Sequence, residues 1–148
     1  MFKALLQSIM PAGKMIKMFI LKIESDLPIV AIASKVEAAC ATHNFALLQS
    51  YNYHQIVESK GFPIKRKTFI YDICQAKAAS MMLTSNPEFS VFMPCTLSMY
   101  EENGKTIIAT MNMEIMLKAV KDNKPLFTEA SNLFNSFKTM MSSLAKAE

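Results

Sequence analysis

With 148 residues, 51% of them hydrophobic and 19% charged, the chain is long enough to bury a core without a metal or disulfide and too apolar to be disordered. Its net charge of +4 is modest, and its basic residues are mostly single apart from Lys65-Arg66-Lys67, which argues against a nucleic-acid-binding face. The three cysteines, Cys40, Cys74 and Cys95, have no short spacing, so a secreted disulfide framework, a zinc ribbon and a CxxC redox site are all disfavoured, and a reducing cytoplasm is the expected setting.

Residues 1–14 read as an N-terminal amphipathic helix or extension, because Phe2, Leu5, Leu6 and Ile9 recur at helical spacing. Gln7 and Ser8 interrupt the apolar run that a signal peptide requires. No segment approaches the ~18 apolar residues of a transmembrane helix. Residues 15–148 are expected to form a single α+β domain.

Residues 15–23, MIKMFILKI, read as the first strand. Asp26 is a candidate N-cap, followed by a helix over 27–43 with Ile29, Ile32, Val36 and Cys40 on one face and Asn44 at its end. Residues 45–52 predict a second strand, and 53–60 a short helical turn stopped by Gly61. Residues 66–74 form a third strand, with Thr68, Ile70, Asp72 and Cys74 on one face and Phe69, Tyr71 and Ile73 on the other. The Ala- and Met-rich stretch 75–83 is helical and is broken at Asn86-Pro87. Two strand-like runs, 92–101 and 105–112, flank Asn103-Gly104, whose positive φ preference suits a tight hairpin turn. A helical stretch over 113–120 follows. The last helix opens at Pro125, carries Leu126, Leu133, Phe134, Phe137, Met141 and Leu144 on its apolar side, and is expected to fray from Ser142 onward.

The resulting order is β-α-β-β-α-β-β-α. It predicts an α+β fold with a mainly antiparallel sheet of four to five strands and helices on one face. Phe69, Tyr71, Met99 and Met111 point to a second sheet face that is dry or dimeric.

Candidate site residues follow from this layout. Cys74 ends a strand and precedes a helix N-terminus, where free N–H groups favour a thiolate or an anion. Cys95 opens the hairpin, and a neighbouring pair of strands would bring the two thiols together as a soft-metal or redox pair. His54, in the turn after Tyr51, is a candidate haem or metal ligand. His43 ends a helix and reads as structural. Met99 and Met111 belong to a methionine cluster with Met93, Met113 and Met116, which suits core filling first and soft-metal or haem contact second. No Ser-His-Asp order, phosphate loop or metal motif is present, and whether the chain is an enzyme is left open.

Three segments together resemble a known family: Asp72 to Ala79, Phe92 to Thr106 with its Pro94-Cys95 step and Tyr100-Glu101-Glu102-Asn103-Gly104-Lys105, and Ala109 to Met116 with Met111-Asn112. With Gly61 before the third strand, this pattern is similar to that of the prokaryotic domain of unknown function 302. Gln75-Ala76 stands where that family has Asn-Pro, and Tyr51-Asn52 where many members have His-Asp. The resemblance implies a homodimeric α+β fold with an antiparallel sheet, and a ligand or haem bound near the dimer interface in some members. The combined expectation is a dimeric small-ligand or interaction module with a pocket near Cys74, Cys95 and the Tyr51–His54 turn. The alternative is a haem-binding or thiol-based redox protein.

Overall fold

The computed structural model describes residues 11–147. Its centre is the hairpin of β4 (Cys95–Glu102) and β5 (Lys105–Met111). Asn103 at φ 51° and Gly104 at φ 74° make the turn, and Glu102 pairs with Lys105 across it. Both positive φ angles match the twist of the flanking strands, which is why the Asn-Gly step was a reliable signal.

Around this hairpin lie β1 (Ile20–Ser25), β2 (Ala46–Asn52) and β3 (Thr68–Cys74). The five strands run in the order β1-β5-β4-β3-β2, every neighbouring pair antiparallel. The fold is α+β, as expected. A bulge between Leu47 and Gln49 lets β2 keep register with β3.

The register sorts residues between two faces. Tyr71 faces Leu97, Met99 faces Ile108, and Ile108 faces Ile23, so these side chains share the core face. Onto that face pack α2 (Ile29–Ala33), α3 (Val36–Thr42) and the long α7 (Lys124–Leu144). Ile32, Ile73, Leu97, Met99, Ile108, Phe137 and Met140 are completely buried there. Each such side chain contributes ~1.5–3 kcal/mol by leaving water. His54, in α4 (Tyr53–Ser59), reaches the same face, its ring edge-on to Phe69 at 5.4 Å.

Several local expectations need correction. Residues 15–23 are not one strand: a helix, α1 (Ala12–Phe19), runs straight into β1. Short apolar runs cannot be assigned by periodicity alone, and α1 buries none of its residues. The helix expected over 27–43 is two helices, broken where the Ser34 hydroxyl donates to the Ala31 carbonyl. Asp26 does not cap it. The N-cap position is Pro28, with no side-chain cap; Ser25 accepts the Leu27 N–H just before it, and the Asp26 carboxylate pairs with Lys105. The C-terminal segment does not fray at Ser142: α7 continues to Leu144, itself 2% exposed, and the next carbonyl, of Ala145, accepts the Ser25 hydroxyl at 2.6 Å. The helix expected within residues 1–10 lies outside the described residues. Among the described residues no helix is long and apolar enough to cross a membrane.

Candidate functional site

At the end of the sheet where β3 finishes and β4 begins, the core face opens into a cavity of about 360 Å³. Ile73, Cys74, Cys95, Thr96, Thr110 and Met111 line it from the sheet. Its roof is built by α5 (Ala76–Ser85), a 3₁₀ turn (Pro87–Phe92), α6 (Glu114–Ala119) and one side of α7. From α5 the small Ala78 and Ala79 leave room beside the larger Met82 and Leu83. Lys77 of α5 pairs with Glu129 of α7 at 2.9 Å and fixes the two roof helices together.

The lining is almost wholly apolar. Met82, Met93, Met111, Met113 and Met116 supply flexible thioethers, and among the described residues no Lys, Arg, His, Asp or Glu reaches the cavity. The ladder between β4 and β5 ends at Ser98 and Ala109. Beyond it, the Thr110 hydroxyl donates to the Thr96 carbonyl at 2.7 Å, so these polar groups satisfy each other. Among the described residues no buried side-chain nitrogen or oxygen lacks a hydrogen-bond partner.

The two expected thiols line the same cavity. Cys95 pairs in register with Ile73, next to Cys74, and both cysteines line the cavity with free sulfurs. Burial, with the neighbouring Cys74 as a second cause, pushes the Cys95 thiol up to about 11. At neutral pH it is a protonated, weakly nucleophilic group. Cys40 lies apart in the main core, its thiol also raised by burial and then by Glu37.

The other expected site residues lie elsewhere. Met99 is fully buried in the main core. Tyr51 sits on the opposite sheet face, where its hydroxyl donates to Asp72 at 3.0 Å, a bond that raises its pKa. His54 stands at the far end of β3, where its Nδ1 accepts the Thr68 N–H at 3.0 Å. Thr68 and Cys74 bound that strand, which separates His54 from the thiols by ~20 Å of extended chain.

This placement bears on a haem held through histidine. Among the described residues no group of three or more His, Cys, Asp or Glu side chains is placed to hold a metal. No imidazole faces the cavity, and the residues present do not fit a haem held through histidine. The lining residues that the sequence did not single out, above all Ala78, Ala79 and Thr110, carry one faint signal. Ala78 and Ala79 are the small positions of α5 that turn toward the strand ends, and Thr110 lies near the end of β5.

The sheet's second face carries no helix from the main core. A shallow groove of about 440 Å³ crosses it, lined by Phe19, Ile20, Lys22, Ser98, Tyr100 and Ala109 among others.

Comparison with known proteins gives a family and a fold. A crystal structure of an uncharacterized conserved DUF302 protein from Bacillus stearothermophilus superposes with a TM-score of 0.73 at 21% identity, covering 87% of this chain and 99% of that one. That likeness establishes the fold. No protein of curated function matches. The sequence pattern of DUF302, a domain of unknown function, matches residues 21–144, and the chain belongs to that family.

Proposed function

We propose that the protein is a binding module for a small, uncharged, apolar molecule, held in the cavity beside Cys74, Cys95 and Met111. The observation that carries this reading is the cavity's chemistry: a volume of about 360 Å³ with no charged side chain among the described residues that line it. Pockets of this size and apolarity typify small-molecule sites. A charged ligand would lose its hydration there with nothing to replace it. The methionines suit a ligand whose shape varies, since thioether side chains repack at little cost. The buried, protonated Cys95 supports binding over redox cycling, because the thiolate is the form that reacts. We further place the protein in a reducing compartment, where its thiols stay free, and as a homodimer whose second copy covers the open sheet face.

An uncharged fluorophore such as N-phenyl-1-naphthylamine tests the cavity directly. Its emission should rise and shift to the blue on titration with the protein. Ala79→Phe, which grows into the cavity from α5, should abolish that response while the far-UV spectrum stays unchanged. Equal dye binding by both proteins would show that the cavity is not the site.

A further inference from the structure

The chain uses one helix-ending device twice, with opposite outcomes for the residue that follows. At the end of α3, Asn44 adopts φ 61°, its N–H bonds the Ala41 carbonyl, and the Phe45 N–H bonds the Cys40 carbonyl at 2.8 Å. At the end of α4, Gly61 adopts φ 88°, its N–H bonds the Glu58 carbonyl, and the Phe62 N–H bonds the Val57 carbonyl at 3.0 Å. Both are the reciprocal pair of bonds of a Schellman motif, in which the residue after the left-handed position usually packs back on the helix. Phe45 does so: it is 6% exposed and stacks edge-on to Phe137 at 5.5 Å. Phe62 does not: it is 74% exposed, and Ile64, beyond Pro63, is 49% exposed. The backbone bonds fix where the loop starts, so the exposure of Phe62 is built in rather than a consequence of a loose chain end.

The charges carried by the loop itself are all of one sign. Residues 60–67 read KGFPIKRK, four cations and no acid in eight residues. Arg66 is engaged: it pairs with Glu102 at 3.9 Å and lies 5.7 Å over the Tyr100 ring. Glu101 accepts the Lys67 backbone N–H, and Glu58 sits one turn back in α4. Among the described residues, Lys60, Lys65 and Lys67 make no ion pair within the loop's surroundings. Every residue from 58 to 67 is exposed.

We propose that residues 60–67 are a lipid-surface contact, a braced loop that seats Phe62 and Ile64 among the headgroups of an anionic bilayer while Lys60, Lys65 and Lys67 meet its phosphates. The pattern favours a membrane over a protein partner. Two apolar side chains are too few for the core of a stable protein interface, which buries on the order of 1,000 Å² or more. They are sufficient for a shallow insertion assisted by a collar of cations, each of which strengthens attraction to an anionic surface. The loop lies at the end of β3 away from the cavity, so this contact is independent of the ligand reading.

Co-sedimentation of the full chain with vesicles tests the idea. The protein should pellet with vesicles of equal parts phosphatidylcholine and phosphatidylserine, and not with pure phosphatidylcholine. Binding should fall as sodium chloride rises toward ~1 M, where screening shortens the Debye length to ~3 Å. Phe62→Ser should weaken partitioning by roughly tenfold. Lys60→Glu with Lys65→Glu should weaken it by at least ~25-fold, about fivefold for each charge. Thermal unfolding of each variant should match the parent, because these side chains are exposed. The proposal fails if the parent protein stays in the supernatant at millimolar lipid, or if both variants bind as well as the parent. It fails equally if Phe62→Ser changes the native mass, since the loop would then be a contact between protein chains.

Discussion

Cys95 shows how far burial can move a thiol whose position was legible from the sequence. The Asn-Gly turn placed it beside the end of β3, and the register confirms that neighbourhood. Its protonation was not legible, because desolvation depends on the roof that α5, α6 and α7 build over the strand ends. Raised from 9.0 to about 11, the thiol is held in its neutral form more tightly in the folded chain than in the unfolded one. The associated stability is therefore complete below pH 9 and is lost as pH rises through 11, a change of about 2–3 kcal/mol. Tyr71, raised to about 12 by burial, adds a loss of the same sign at still higher pH. Iodoacetamide should consequently leave Cys95 untouched at pH 8 and modify it progressively faster as pH approaches 11. Peptide mapping by mass spectrometry reads this out. Alkylation at pH 8 as rapid as in urea-unfolded protein would contradict a buried, protonated thiol.

Elements were legible where a turn or break has its own chemistry, and illegible where only an apolar run marks them. The hairpin, the Asn44 and Gly61 stops and the Asn86-Pro87 break all fall where the residue types require. By contrast, MIKMFILKI divides between helix and strand at Phe19 and Ile20, a point that no residue type marks. The strand begins where pairing with β5 begins, at Ile20 opposite Met111. Pairing over so long a sequence separation is invisible to any local window. Two glycines turn this contrast into a measurement. A Cβ at Gly13 or at Gly104 would meet nothing within 4 Å, so neither substitution causes a clash. Gly104 stands at φ 74° in the hairpin turn, whereas Gly13 lies in the first turn of α1. Gly104→Ala should cost about 1–2 kcal/mol through the left-handed backbone alone, and Gly13→Ala should raise stability by up to about 1 kcal/mol. Urea titrations of the two variants should show midpoints shifted in opposite directions. Shifts of the same sign would mean that the turn is not formed in solution.

At the scale of the molecule, the helices of the main core all lie against one sheet face, and the residues of the other face decide what meets it. A wet face of an antiparallel sheet usually alternates cleanly to polar side chains. Here Ile20, Ile70, Tyr100, Ala109 and Met111 stand among Lys22, Ser98 and Asp72. The sequence hinted at this through the aromatic and Met content of the strands, but it assigned faces wrongly in part. Phe69, Tyr71 and Met99 point into the core, and the open face takes its apolar character from Ile70, Tyr100 and Ala109 instead. Having both Lys22 and Asp72 on one face fits an isologous pairing, in which each charge finds its opposite on the other copy. The homodimer proposed above therefore predicts a native mass twice that of the chain by light scattering. Ile70→Asp, on β3 of this face, should halve it by burying an unpaired carboxylate between the copies. Ile70 does not line the cavity, so the monomeric variant should still bind N-phenyl-1-naphthylamine as the parent does. A parent protein that runs as a monomer at high micromolar concentration would remove the second copy from this face, and leave the cavity reading standing on its own.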